Sequence, residues 1–363
     1  MKKTKKILII THHRPNRSPG QRFRFEQYLD LLEKNGYSFH WDILLNQNDD
    51  KIFYGDSILK KISLVFRTFF KRLKTLLRAK KYDGILIYRE AYIIGGAFFE
   101  QLLSKINPNI WYDFDDAIWL SNVSEKNKKW AWLKHPRKTI SIIKVSKIIT
   151  CGNQYLTDFA KQYNKKAFLI PTTIDTKYHT LKGDDLNKNT ITIGWTGSST
   201  TLPYFEQLLP LLKILKEKYG NKINFKIIVD VKKTYPEIHA MTTPWQLNTE
   251  IQDLHQIDIG IMPLPNDEWS KGKCGFKILQ YMAIGIPSVA SAVGANKEII
   301  KHYENGFLVN DEKDWLKYLS ELIENKTLRR KIGQAGRKTV EEKYSVEANK
   351  DKYLNVLNSF CSD

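Results

Sequence analysis

The chain has 363 residues, 42% hydrophobic and 12% aromatic, which argues against disorder and for two domains of ordinary size. Its three cysteines, at 151, 274 and 361, are odd in number and widely spaced, which argues against a disulfide framework or a cysteine-rich metal site. The formal net charge is +19, and residues 1–175 hold 32 Lys/Arg against 16 Asp/Glu, so the first half is expected to meet something anionic.

Residues 7–10 are too short for the apolar core of a signal peptide, and no apolar run approaches the roughly 18 residues of a membrane span. A cytoplasmic location is expected. Residues 6–11 read as a strand ending in a loop, 12–20, and Phe23, Phe25, Tyr28, Leu29 and Leu32 place a helix after it. Arg14, Arg17, Gly20 and Arg22 lie past the strand's end, as an anion pocket or as solvated surface charge. His12 and His13 have no third metal ligand near them in sequence.

Residues 37–45 read as a second strand and 57–81 as a long helix. Its apolar positions 58, 59, 62, 65, 66, 69, 70, 73, 76 and 77 fall on one side, and lysines and arginines take the other, with no acid among them. That is the sequence form of a helix lying on an anionic membrane surface. A core-packed helix with a solvated basic face is the alternative. Nucleic acid is not expected, for want of a recognised module.

Residues 84–88 read as a buried strand, 92–104 as a helix and 109–112 as a strand running into Asp113-Phe-Asp-Asp116. Asp113 and Asp115 have the Asp-x-Asp spacing of a metal–diphosphate site. The other readings are a structural role, as a cap or a partner of His135 or Arg137, and an acceptor-side acid or base role for Asp115 and Asp116. Strands follow at 147–150 and 167–170, with a helix at 155–163 between them. The first domain is placed at 1–175 and the second at 176–345, with a last helix in 346–363. Strands alternate with helices in both halves, so each should be a parallel α/β sheet.

In the second half, a strand at 190–195 leads through Thr196-Gly-Ser-Ser-Thr-Thr201 into a helix. Gly197, Ser198 and Thr200 offer amides and hydroxyls to phosphate oxygens, although a plain N-cap accounts for one threonine equally well. Strands at 224–230 and 257–261 follow. Trp245 is a candidate to stack on a base, with Asp230 or Glu250 touching base or ribose; ordinary packing is the alternative for the tryptophan. Then comes the stretch around which the half is organised, Lys271-Gly-Lys-Cys-Gly-Phe-Lys-Ile-Leu-Gln280. A glycine loop opens a helix at 276–283 just beyond a strand's end. Lys273, Cys274, Gly275 and Phe276 form the loop and first turn, and Lys277 and Gln280 share a helix face. A cation near a helix start with an amide one turn on suits a phosphorylated, hydroxyl-bearing ligand such as a nucleotide. An ordinary loop-helix-strand unit carrying a surface lysine is the alternative.

With Tyr281-Met-Ala-x-Gly-x-Pro287, Asp258-Ile-Gly-Ile-Met-Pro263 and Asn305-Gly306, the chain resembles the family 4 ("group 1") retaining glycosyltransferases, closely over 190–345. Ser18-Pro-Gly-Gln-Arg22, Asn153 and Ile170-Pro-x-x-x-Asp175 extend the resemblance more loosely to the first half. It implies the GT-B fold: two Rossmann-like parallel-sheet domains facing a cleft, with the C-terminal helix crossing back to the first domain. It implies transfer of a sugar from a nucleotide diphosphate sugar to a hydroxyl acceptor, without metal or further cofactor. A glycan or polyprenyl-linked acceptor in bacterial polysaccharide assembly is expected, with residues 57–81 on the inner face of the membrane. Two family glutamates fall on Gly272 and Gln280, and a basic pair expected after the 190–195 strand is missing. Lys273 or Lys277, with Thr196, Ser198 and amides, would then hold the diphosphate. A sugar-nucleotide epimerase of the same fold and a catalytically silent sugar-nucleotide- or glycan-binding subunit are the alternatives.

Overall fold

A computed structural model describes residues 4–55, 57–120, 135, 137–183 and 189–361. The chain divides into two compact units, one of residues 1–172 and 350–363, the other of 173–349. The first is built on β1 (Lys5–Thr11), β2 (Tyr37–Ile43), β3 (Gly84–Tyr88), β4 (Ile110–Phe114), β5 (Ile148–Cys151) and β6 (Ala167–Leu169). They pair in parallel in the order β2-β1-β3-β4-β5-β6. β3, β4 and β5 are buried at every residue, as expected of a parallel sheet covered on both faces.

The second unit is built on β7 (Ile191–Thr196), β8 (Ile223–Val229), β9 (Thr234–Tyr235), β10 (Ala240–Pro244), β11 (Ile259–Met262), β12 (Ser288–Ser291) and β13 (Phe307–Val309). Their order is β13-β12-β11-β7-β8-β10-β9, parallel except for the antiparallel edge pair β9–β10. One face is filled by a core that includes Trp195, Phe205, Leu212, Phe307 and Leu319. A smaller cluster gathers Ile228, Leu254, Ile257, Tyr281 and Ile284. In each unit the carboxyl ends of the parallel strands share one edge, where ligands of open parallel sheets bind.

Several elements differ from the sequence reading for local reasons. The helix after β1 comes in pieces, Pro19–Arg24 and Leu29–Lys34 around a 3-10 turn. Phe25 leaves helical geometry there, its buried ring lying 5.8 Å from Trp41 and 5.7 Å from Tyr88. Gly95, at φ +79°, delays the next helix to Phe98–Ile106. The helix Gln47–Tyr54 was not anticipated, although Asn46 and Asp49 form a reciprocal capping box at its start.

The basic helix spans Ile58–Ala79, and of the apolar side marked out by sequence it buries Leu76 while leaving Ile58, Leu59, Ile62, Phe66, Phe70 and Leu77 exposed. Its inner face is Leu64, Thr68, Arg72, Thr75, Leu76 and Ala79. Arg72 is buried because Asp42 neutralises it at 2.7 Å and the carbonyls of Thr11 and Ala91 accept its other N–H groups. No helix among the described residues is long and apolar enough to cross a membrane.

From Lys350 onward the chain belongs to the first unit. Tyr353, in the helix Val346–Cys361, stacks on Tyr28 at 4.1 Å and meets Trp111 edge-on at 5.4 Å. The side chain of Cys361 and the polar stretch 184–188 lie outside the described residues.

Candidate active site

In the second unit, the loop after β7 and the helix Phe276–Ala283 converge. The Thr196 amide donates to the Tyr281 hydroxyl at 3.0 Å. Tyr281 is buried against Gly260, where any Cβ would collide with its ring. Gly197 is equally obligatory, because a Cβ there would overlap the Trp195 indole. Ser198 Oγ and Thr200 Oγ1 lie 2.8 Å apart, and the Ser198 amide donates to Thr201 Oγ1 at 3.1 Å. Asp230, past the end of β8, accepts from the amide and hydroxyl of Ser199 at 2.6 and 3.2 Å. Asp230 therefore anchors the loop, a role the sequence reading did not give it.

The helix Phe276–Ala283 starts from Gly275 at φ +67°, and no side chain caps it. A Cβ at Gly275 would strike Ile299, so the left-handed turn and the close approach both demand glycine. Cys274 is buried, its Sγ 3.8 Å from the Gly272 carbonyl oxygen. Lys273 Nζ lies 4.9 Å from the centroid of the Trp269 ring, and Lys277 Nζ 5.6 Å from that of Trp195. The Trp195 ring thus sets the Lys277 ammonium beside the Gly197 turn. Gln280, on the same helix face, is 2% exposed, and its amide makes no hydrogen bond among the described residues. An uncapped helix start, a cation and an unpartnered amide stand along one short helix. That arrangement is chemically suited to an anion at one end and hydroxyls at the other.

Trp245 and Glu250 are bonded to one another within the second unit. Trp245 packs against the Ile228–Tyr281 cluster and donates from Nε1 to Glu250 at 3.2 Å. The other oxygen of Glu250 accepts from the Tyr178 hydroxyl at 3.2 Å, so the buried carboxylate is satisfied within the chain.

At the carboxyl edge of the first unit, Gly20 sits so close to Tyr88 and Asp115 that a Cβ would collide with both. The Tyr88 hydroxyl donates to Asp115 at 2.8 Å. Arg89 clamps Asp115 at 2.8 Å and Asp116 at 2.6 Å, so these two carboxylates meet Arg89, where the sequence reading had named His135 or Arg137. Arg89 is at φ +62°, a costly conformation for a non-glycine residue and one often found at functional sites. Burial opposes its charge, but Asp115, Tyr88 and Asp116 together outweigh that and hold its pKa well above the ordinary value. Sequence reasoning missed Arg89; its place directly after a buried strand was the available signal.

The Asp-x-Asp spacing does not make a pair. Asp113 lies within β4, fully buried, with both oxygens on Arg24 at 3.0 and 2.7 Å. Among the described residues no three His, Cys, Asp or Glu side chains are grouped to hold a metal ion. The anion pocket is also rearranged. Arg14 and Arg17 converge on Asp50 at 2.8 and 3.2 Å, so an internal carboxylate takes the place given to a ligand. Arg22 is buried, with its guanidinium 4.8 Å from the Phe23 ring.

His12 follows β1, and its pKa is pushed well below the ordinary value by burial first, then by Arg72, His13, Lys138 and Arg89. The unfolded chain takes up this proton near pH 6.5, while the folded chain still refuses it. The stability linked to His12 is therefore present above that pH and lost as pH falls, by about 1.4 kcal/mol per pH unit. Urea unfolding between pH 7 and pH 5 should show the wild type losing stability more steeply than His12→Gln. Parallel curves would show that His12 is not the group responsible.

Residues 204–339 match the family model of the glycosyl transferases group 1. Over this segment the chain is similar to the group 1 glycosyl transferases. Two trehalose synthases, from Thermococcus litoralis and Pyrococcus furiosus, are each 30% identical over 86 residues. That is 24% of this chain, which spans about a fifth of their length, 21%. Solved structures share the fold over the full length, though at low identity. Sucrose-phosphate synthase from Thermosynechococcus elongatus superposes with a TM-score of 0.70 at 13% identity, covering 98% of this chain and 99% of that one. Anabaena HepE, solved in complex with UDP and glucose, gives 0.65 at 14% identity, covering 98% and 100%. The two Rossmann-like sheets of this chain are thus the GT-B fold.

Proposed function

We propose that the chain is a retaining glycosyltransferase that moves a sugar from a nucleoside diphosphate to a hydroxyl acceptor. The convergence of the Gly197 turn, Lys277 and the unpartnered Gln280 amide at one edge of the second sheet carries this reading. The family match over 204–339 and the UDP-bound fold relative support it. In this reading, Lys277 and the amides from Cys274 to Lys277 take the diphosphate, with Ser198 and Thr200 beside them. Gln280 bonds the ribose hydroxyls. The bond from the anomeric carbon to the diphosphate breaks as the bond to the acceptor oxygen forms. The acceptor proton passes to the departing phosphate, so no protein nucleophile is needed. Charge on the leaving group is stabilised electrostatically, without a metal ion.

Gly20, Arg22, Asp115 and Asp116 belong to the acceptor side, with Arg89 fixing the two carboxylates. The acceptor is read as a lipid-linked or membrane-surface glycan of polysaccharide assembly, handled at the cytoplasmic face. The basic character of the first half supports this.

Purified protein should slowly release nucleoside diphosphate from one of a panel of nucleotide sugars when no acceptor is present. Binding without release would favour the silent sugar-nucleotide-binding alternative, and release of an epimerised sugar would favour the epimerase. A chelator should leave the rate unchanged; loss of activity would return the Asp113/Asp115 metal reading to consideration.

A further inference from the structure

The helix Ile58–Ala79 presents an unpartnered apolar stripe. Leu59, Ile62, Phe66, Phe70, Leu73 and Leu77 recur at steps of three and four, so they line one side of the helix. Leu59 is 80% exposed, Phe66 62%, Phe70 59% and Leu77 82%. Beneath the stripe, Phe70 packs on Phe69 and Phe69 on the buried Phe99, which anchors the row to the neighbouring helix. A contiguous exposed apolar surface of this kind marks an interaction site.

The stripe is held outward. Arg72 pins the opposite face through Asp42 and the carbonyls of Thr11 and Ala91. Rolling the helix to bury its phenylalanines would strip a buried guanidinium of all these partners.

Charge selects the occupant. The helix carries Lys60, Lys61, Arg67, Lys71, Arg72, Lys74 and Arg78 and no acid. Lys60, Lys74, Lys80 and Lys81 are exposed and make no ion pair among the described residues. A second copy seated on this face would set cations against cations. An anionic lipid surface accepts both the apolar row and its basic flanks.

We propose that this stripe is an in-plane insertion surface that seats the first unit on an anionic bilayer. It stands apart from the transfer reaction, because docking needs no substrate. The helix, about 33 Å long at 1.5 Å per residue, lies along the headgroups with its phenylalanines in the acyl boundary.

The test uses the whole chain with vesicles of phosphatidylcholine alone, or with about a third phosphatidylglycerol. Binding to the anionic vesicles should be at least about tenfold tighter. Phe66→Ser with Phe70→Ser should cut that binding at least about tenfold. Lys60→Glu with Lys74→Glu should do so as well, and both pairs should keep the wild-type melting temperature and donor hydrolysis. Phe70→Trp, which preserves the apolar surface, should shift its emission to the blue on vesicles and be quenched by brominated lipid. Equal binding to both vesicle types, or binding untouched by the variants, would overturn the proposal. So would a dimer in sedimentation equilibrium that the Phe66 and Phe70 changes dissolve, since the occupant would then be a second copy.

Discussion

Replacing Lys277 by alanine should lower the turnover of a nucleotide sugar by about 10²–10³-fold, the usual loss when one preorganised charge stabiliser is removed. Lys277 Nζ is 5.6 Å from the centroid of the Trp195 ring, and Gly197 packs on that same ring. The ammonium is thus held beside the turn whose amides and hydroxyls would receive the diphosphate. Negative charge on that group grows as its bond to the sugar breaks, so the loss should fall mainly on kcat rather than KM. Lys277→Arg should restore part of the rate, because charge is kept while the point-like ammonium geometry is not. A wild-type rate for the alanine variant would remove Lys277 as the diphosphate ligand. An unchanged melting temperature would keep the comparison a kinetic one.

The parallel strands could be read from sequence because each is an apolar run closed by turn residues; 84–88 matches residue for residue. The helix Phe276–Ala283 was equally plain, since Gly275 before it and Gly285 after it both adopt positive φ. The edge pair β9–β10 was hidden, because a two-residue strand has no period to detect. Helix faces were harder still. In Ile58–Ala79 a buried ion pair, not an apolar row, decides which side turns inward, and Asp42, which decides it, lies thirty residues away. For the candidate site, composition and spacing named Lys277, Gln280 and the Gly197 loop. They did not reveal that Asp230 and Glu250 are satisfied inside the chain, or that Arg14 and Arg17 find Asp50. Each of those outcomes depends on a partner brought close only by the fold.

Changing Arg24 to methionine should destabilise the protein by about 3–5 kcal/mol, the cost of leaving a buried charge without its partner. Arg24 and Asp113 are both fully buried and joined at two points, Nε to Oδ1 and Nη2 to Oδ2. The carboxylate also accepts from Thr150, whose hydroxyl receives the Trp111 indole N–H, and Arg24 reaches on to the Ile170 carbonyl. One guanidinium therefore ties the helix after β1 to β4 and to the chain just beyond β6. Methionine fills much of the volume but leaves the Asp113 charge and the Ile170 carbonyl unanswered. Urea unfolding of the wild type, Arg24→Met, Asp113→Asn and the double variant would test this. The double variant should recover part of the loss, because asparagine removes the charge that arginine was there to balance. If Arg24→Met costs less than about 1 kcal/mol, the pair is not the brace described. The same cycle bears on the metal reading of the acidic run. If Asp113→Asn proves to be a stability mutation whose donor hydrolysis, per folded molecule, stays at the wild-type rate, Asp113 is a structural carboxylate and Asp115 and Asp116 act without it.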